Sequence, residues 1–153
     1  MIDKINPQLV YEVETRPWGY YEVLLNSPEC KVKRIIVHPD QKLSYQYHFH
    51  RSEVWTVVKG ELTIILDGEK IFRKIGESVK IPQGAKHRAW NETDEIVQFI
   101  EVQTGTYFGE DDIVRVEDDY KRADEDPFEH LADGNYIGGL TMPKENTNKL
   151  NKS

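Results

Sequence analysis

Residues 46–53 read QYHFHRSE, and this stretch contains the most specific chemistry in the chain. Alternate side chains of a β-strand point to the same face, so Gln46, His48 and His50 are expected to line one wall of a sheet. The alternation is interrupted before Glu53, so the side chain of Glu53 can point to the same wall as well. The stretch therefore predicts several nitrogen and oxygen donors on one face, which is how proteins hold a divalent metal ion.

A second stretch supplies a further donor. Residues 76–91 follow the pattern G-x5-P-x-G-x2-H-x3-N, in which Pro82 and Gly84 predict a rigid turn and His87 begins the next strand. A mixed nitrogen and oxygen set suits zinc, manganese, iron, cobalt or nickel. An open coordination position at such a metal would admit a substrate.

The chain as far as Gln103 has the pattern of short β-strands. Runs rich in Val, Ile, Tyr and Trp are separated by Gly, Pro and Asp, without a sustained helical period. Asp67 and Gly68 between two apolar runs predict a hairpin turn. Many short strands at this spacing are typical of a β-sandwich or barrel. The predicted strands are 20–25, 31–37, 43–48, 53–59, 62–66, 70–75, 78–81, 86–90 and 96–103.

Length and composition restrict the class of protein. The 153 residues suffice for one domain, with an arm predicted at 1–15, a β-domain at 16–122 and a C-terminal extension at 123–153. No run approaches the ~20 apolar residues of a membrane-spanning helix. The N-terminus has no apolar signal stretch, so we expect a cytoplasmic protein without a membrane partner.

The distribution of charge along the chain restricts the partners that the protein can bind. The net charge is −7, and residues 110–129, with 10 acidic and 3 basic side chains, account for all of it. The rest of the chain shows no basic face, so nucleic acid is not expected as a partner. A small anion remains compatible, since one or two Arg or Lys suffice to hold it. The single cysteine, Cys30, excludes an internal disulfide framework and a cysteine-based zinc site.

The two motifs resemble the paired motifs of the cupins and together cover residues 40–91. The resemblance implies an all-β, single-domain cupin, that is, a double-stranded β-helix or jelly-roll barrel. A narrower resemblance, to the type II mannose-6-phosphate isomerase domain, extends from Arg16 to about Arg122. It rests on RPWGYYEV at 16–23, KVKRI at 31–35, LSYQYHFHRSEVW at 43–55, IP-x-G-x-x-HR at 81–88, EVQTGTYFGEDDIVR at 101–115 and EDDYKR at 117–122.

This resemblance implies a ligand set and an activity. In that family Gln replaces the first cupin histidine, so the implied metal ligands are Gln46, His48, Glu53 and His87, with His50 as the alternative to Gln46. The implied reaction is the interconversion of mannose 6-phosphate and fructose 6-phosphate through a cis-enediolate. Zinc is the expected metal, and cobalt, nickel, manganese and iron are alternatives.

The same resemblance bears on domain organisation. The domain is usually the C-terminal half of a bifunctional enzyme whose other half is a mannose-1-phosphate guanylyltransferase with a Gly-rich nucleotide motif. That motif is not present in this sequence. We therefore expect a stand-alone domain that does not bind GTP.

The implied reaction needs a base and a cation for the phosphate. His50 and Glu101 are the candidate bases, although either could instead orient a metal ligand. Arg51 and Arg115 are the first candidates for the phosphate, with Arg115 placed in the catalytic set.

Lys33 and Arg88 are further substrate-binding candidates, and for each of these cations the alternative is a solvated surface charge. We expect a homodimer, because a small barrel often pairs across a two-fold axis. Two other classes remain open, namely a non-catalytic sugar-phosphate sensor and another cupin enzyme such as an iron oxygenase or a sugar epimerase.

Overall fold

A computed structural model describes residues 12–118, and within this range eleven β-strands pair in antiparallel fashion. No helix in the described part of the chain is long and apolar enough to cross a membrane. The strands are β1 (Glu12–Arg16), β2 (Gly19–Asn26), β3 (Lys31–Val37), β4 (Tyr45–Tyr47), β5 (Arg51–Lys59), β6 (Leu62–Leu66), β7 (Glu69–Arg73), β8 (Ser78–Ile81), β9 (His87–Trp90), β10 (Val97–Gly105) and β11 (Val114–Glu117).

The strands form two sheets that share one apolar core. The order is β1-β2-β3-β10-β5-β8 in the six-stranded sheet and β11-β4-β9-β6-β7 in the five-stranded sheet. Phe99 of the first sheet and Leu62 and Ile64 of the second are fully buried in the same cluster. The all-β, single-domain barrel predicted from the sequence is thereby confirmed.

The register of β3, β10 and β5 divides the interior into an apolar part and a polar part. Inward-facing residues that pair across the three strands form three rows. Because side chains alternate along each strand, the three rows lie next to one another on the same face of the sheet. The rows are Ile35–Phe99–Val57, Lys33–Glu101–Trp55 and Lys31–Gln103–Glu53. The first row belongs to the apolar core, whereas the other two bury charged and amide groups, which is costly unless those groups are paired or bind something.

Local sequence predicted most strands closely, including 31–37, 62–66 and 78–81. The hairpin turn also forms, because Asp67 and Gly68 have φ values of 48° and 87°. The predicted arm is wrong in part, since Glu12–Arg16 pairs with β2 as a strand. The other residues of the arm, residues 119–122 of the predicted β-domain and the whole of the C-terminal extension lie outside the described residues.

The strand predicted at 43–48 is shorter than expected, and the reason is a side chain distant in sequence. The carboxylate of Asp112 accepts hydrogen bonds from the backbone N–H groups of Phe49 and His50 at 2.9 and 3.0 Å. These amides therefore donate to a side chain rather than to a neighbouring strand, and β4 ends at Tyr47.

The turn of the second motif lies directly against the first motif. Gly84, with a φ of 85°, donates its backbone N–H to the carbonyl oxygen of His48 at 3.1 Å. A non-glycine residue rarely adopts this conformation, which explains the glycine. His87 follows this turn as the first residue of β9, and the pairing of β9 with β4 places His87 opposite Gln46.

Candidate metal centre

Three side chains from separate parts of the sheets converge on one buried point. His48 follows β4, Glu53 lies in β5, and His87 begins β9. The Nε2 atom of His48 lies 3.3 Å from Oε2 of Glu53, and Nε2 of His87 lies 3.8 Å from Oε1. One donor atom from each residue lies within 4.8 Å of the others, and all three residues are at most 3% exposed.

Hydrogen bonds fix which nitrogen of each imidazole faces this point. The Nδ1 atom of His48 lies 2.6 Å from the backbone oxygen of Asp112, and Nδ1 of His87 lies 2.9 Å from that of Ala85. A carbonyl oxygen only accepts, so Nδ1 carries the proton in both rings. The unprotonated Nε2 atoms therefore face Glu53, which is the arrangement in which histidine binds a metal.

The protonation states also fit a metal site. Burial lowers the pKa of His48 to about 3 and lowers that of His87, so both rings are neutral at neutral pH. Burial opposes ionisation of Glu53, but the neighbouring His48 and Arg51 outweigh burial and hold the pKa of Glu53 below its usual range. Two neutral imidazoles and one carboxylate are the forms that bind a divalent ion.

Arg51 contacts the same donor atoms. Its Nε donates to Oε2 of Glu53 at 2.8 Å, and its Nη2 lies 3.3 Å from Nε2 of His48. The guanidinium thus neutralises the buried carboxylate and uses lone pairs that a metal ion would need. Binding of a metal at this point requires Arg51 to move aside, so the arginine and the metal compete.

A solvent-connected cavity of about 90 Å³ adjoins the cluster. Gln46, the fourth predicted ligand, is buried and lines it, and its amide nitrogen donates to the backbone oxygen of Ser44 at 3.3 Å. Four cationic side chains and three carboxylates also line the cavity. These are Arg16, Lys33, Arg51, Arg115, Glu53, Glu101 and Glu110.

Glu101 is the carboxylate with the most unusual environment. Burial and, next, the charge of Glu53 raise the pKa of Glu101 to about 7, although Lys33 and Arg51 act in the opposite direction. Gln103 donates its amide to Oε2 of Glu101 at 2.5 Å. Glu101 can therefore donate or accept a proton inside the cavity near neutral pH.

Two of the predicted residues do not line the cavity. His50 was expected on the same face as Gln46 and His48, but the strand ends before it, and its side chain is 54% exposed beside Asp112. Arg88 is buried elsewhere. Its Nε donates to the backbone oxygen of Leu43 at 2.7 Å, so it joins β9 to the segment before β4 instead of lining the cavity.

Sequence reasoning missed Lys31, Glu110 and Asp112. Lys31 alternates with Lys33 and Ile35 on β3, so its inward direction was available from the strand pattern. Glu110 and Asp112 come from the connection between β10 and β11. Their contacts with Lys31 and His48 join residues more than 60 positions apart, and no local pattern signals such a pairing.

The fold and the buried donor cluster define a cupin. A double-stranded β-helix protein from Klebsiella pneumoniae is 26% identical, with a TM-score of 0.56 over 62% of this chain and 76% of that chain. The capsular polysaccharide assembling protein CapF of Staphylococcus aureus is 22% identical, with a TM-score of 0.60 over 69% of this chain and 34% of that chain, and supports the fold alone.

Sequence comparison identifies the family. Residues 5–118 match the model described as mannose-6-phosphate isomerase C-terminal, and the chain belongs to this family. A mannose-1-phosphate guanylyltransferase of Sinorhizobium fredii is 39% identical over 118 residues, 77% of this chain and 22% of that protein. The xanthan biosynthesis protein XanB of Xanthomonas campestris is 44% identical over 107 residues, 70% of this chain and 23% of that protein. The chain thus spans less than a quarter of the length of these relatives.

The comparisons overturn the predicted function. Relatives from Sinorhizobium fredii and Salmonella montevideo are enzymes named mannose-1-phosphate guanylyltransferases, so the prediction that this chain interconverts mannose 6-phosphate and fructose 6-phosphate is wrong. The resemblance identified the domain correctly. It did not identify the activity, because one fold and one metal site serve many reactions.

We predict that Arg51→Met binds Zn²⁺ about tenfold more tightly than the unaltered protein, because a competing positive charge next to the ligands is removed. The same change lowers the stability of the metal-free protein by about 3 kcal/mol, since Glu53 loses its buried partner. Competition with a coloured chelator measures the first effect, and urea unfolding with EDTA measures the second. Arg34→Met, at an arginine that pairs with Glu22 elsewhere on the sheet, is the control. An unchanged zinc affinity in Arg51→Met would contradict the competition.

The pKa of Glu101 predicts a pH-dependent stability. The folded protein holds the proton of Glu101 up to about pH 7, whereas the unfolded chain releases it near the usual pKa of 4.5, so ionisation costs stability as the pH rises between these values. Glu101→Gln removes this cost. Its stability relative to the unaltered protein should rise on the order of 3 kcal/mol from pH 4.5 to pH 8.

Urea unfolding with EDTA at both pH values measures this difference in the free energy of unfolding. Glu61→Gln, at an exposed glutamate, is the control and should show no such trend. A parallel pH dependence in Glu101→Gln and the unaltered protein would mean that Glu101 ionises normally.

Proposed function

We propose that this chain is a zinc-binding cupin domain that binds a sugar phosphate of the mannose phosphate class. The observation that carries the proposal is the meeting of a His–Glu–His donor cluster and four cationic side chains in a single cavity. The cluster suits a metal that takes sugar oxygens, and the cations suit a phosphate. A cavity with only one of these features would not favour this class of ligand.

The donor set favours zinc among the divalent metals. His48 and His87 supply two imidazole nitrogens and Glu53 a carboxylate, a set that zinc binds with a further position left for water or a ligand. Gln46 is the fourth ligand in this proposal, because it lines the same cavity opposite His87. When bound, the metal supplies a Lewis-acidic contact for a hydroxyl or carbonyl oxygen of the sugar.

The charge of the cavity favours an anionic sugar. Four arginine and lysine side chains face three glutamates, a balance of +1, which becomes +2 while Glu101 holds its proton. A divalent metal adds two further charges. Arg115 and Lys33 remain the proposed phosphate contacts, and mannose 1-phosphate, which appears in the names of the relatives, is the first ligand to test.

Glu101 gives this site a hydrogen-bonding group of adjustable charge. As a neutral acid it donates to a sugar hydroxyl, and as a carboxylate it accepts from one. We propose that it orients the bound sugar beside the metal. Its place in the row between Lys33 and Trp55 keeps the side chain directed into the barrel.

Isothermal titration with mannose 1-phosphate tests the proposal. The zinc-loaded protein should bind mannose 1-phosphate at least about tenfold more tightly than it binds mannose, because only the phosphate forms charge-assisted hydrogen bonds. His87→Ala should abolish both zinc binding and this preference, whereas His38→Ala, at an exposed histidine, should change neither. Equal binding by His87→Ala, or no binding by the zinc-loaded protein, would refute the proposed function.

We also propose a homodimer formed through the outer face of the six-stranded sheet. Val32, Val102 and Val54 lie side by side on β3, β10 and β5, and Val54 is 37% exposed. A two-fold axis would pack this apolar row against its copy. Light scattering should show a dimer that Val54→Lys converts to a monomer. Phe72→Lys, on the other sheet, should leave the dimer intact, and a monomeric unaltered protein would rule the proposal out.

A further inference from the structure

Two lysines and one glutamate form a charged group apart from the donor cluster, in which Lys33 and Glu110 line the cavity and Lys31 contacts it through the same glutamate. The Nζ atoms of Lys31 and Lys33 both donate to one atom, Oε2 of Glu110, at 2.9 and 2.8 Å. The two lysine side chains are 7% and 5% exposed, whereas that of Glu110 is 40% exposed. One carboxylate oxygen thus satisfies two buried ammonium groups, as one phosphate oxygen would.

The two lysines are held in position by contacts other than Glu110. The ammonium of Lys33 lies 3.9 Å from the centre of the Tyr21 ring, over its face. The ammonium of Lys31 lies 3.4 Å from the backbone oxygen of Phe108. Both side chains also belong to the inward-facing rows that cross β3, and both are buried in the interior of the barrel. Lys33 would therefore keep its position if the carboxylate left, and Lys31 would keep its contact with the backbone of the same connection.

Glu110, in contrast, belongs to the connection between β10 and β11, and its side chain is more exposed than those of the two lysines. The lysines, acting against burial, lower its pKa to about 2, so it stays ionised at neutral pH. Its single negative charge is weaker than that of a phosphate, which carries close to two at pH 7. A phosphate can therefore replace it on electrostatic grounds.

The position of the pair relative to the metal ligands suits a single small molecule. Lys31, Gln103 and Glu53 are neighbours in one inward row, so Lys31 and Glu53 are two strands apart, about 10 Å between their backbones. Between them lies Gln103, whose Oε1 is buried without a hydrogen-bond partner in the described part of the chain. A buried acceptor without a partner indicates a missing donor at this point of the interior.

We infer that Lys31 and Lys33 form the phosphate subsite of this cavity, that Glu110 fills it as an internal anion, and that an incoming phosphate displaces Glu110. The sugar part of this inference rests on the proposed function, whereas the oxyanion subsite does not. The consequence is that Glu110 weakens phosphate binding, although it lies in the site.

Titration with inorganic phosphate and with mannose 1-phosphate tests this inference in four proteins, with and without zinc. Glu110→Gln keeps the size of the side chain but removes the competing charge, so it should bind both anions about tenfold more tightly than the unaltered protein. Adding Lys33→Met to Glu110→Gln should remove that gain. Glu61→Gln changes the net charge equally at an exposed position and should bind like the unaltered protein. Circular dichroism confirms that each variant is folded.

The outcomes separate this inference from the proposed function. Tighter binding of inorganic phosphate by Glu110→Gln supports the subsite even if mannose 1-phosphate never binds, a result that would overturn only the proposed function. Unchanged or weaker phosphate binding by Glu110→Gln overturns the subsite, because Glu110 would then be a bystander or a ligand contact. Tighter binding that survives Lys33→Met also overturns it, since the anion would then be held elsewhere.

Discussion

The buried carboxylate of Glu53 is the constraint on which the rest of this interior depends. At 2% exposure it receives hydrogen bonds from Arg51 and from the indole N–H of Trp55, and both histidines direct Nε2 towards it. An unpaired charge at this depth would be strongly destabilising. Arg51 and Trp55 are the partners of this charge in the structure, whereas the two unprotonated Nε2 atoms do not donate to it and are positioned to share the proposed metal ion with it.

The charge of Glu53 also affects a side chain outside the donor cluster, in the neighbouring inward-facing row of the barrel. It raises the pKa of Glu101 in the adjacent row, and that row also holds Lys33, whose ammonium is shared with Glu110. The donor cluster, the titrating acid and the lysine pair are thus parts of one electrostatic system. A ligand that brings both hydroxyls and a phosphate would satisfy all of these parts together, which is the physical basis of the proposed sugar-phosphate ligand.

The comparison with relatives shows that the resemblance identified the fold and the family but not the activity. The motifs at 46–53 and 76–91 identified the fold and the family, because their glycines, proline and metal donors are demanded by backbone geometry and ligand chemistry. The activity did not follow from them, since the relatives named mannose-1-phosphate guanylyltransferases are about four times as long as the matched segment. Function resides in a site and its surroundings rather than in a fold.

The sequence by itself determined most of the strands, the hairpin at Asp67 and the candidate donors His48, Glu53 and His87 that the structure brings together, because alternation and turn chemistry act between residues close in the chain. Only the tertiary structure decided which polar side chains meet. Asp112 ends β4 and turns His50 out to solvent, and Glu110 reaches Lys31 across 79 positions. Such contacts depend on which strands become neighbours in a sheet, a property of the whole chain that no local pattern encodes.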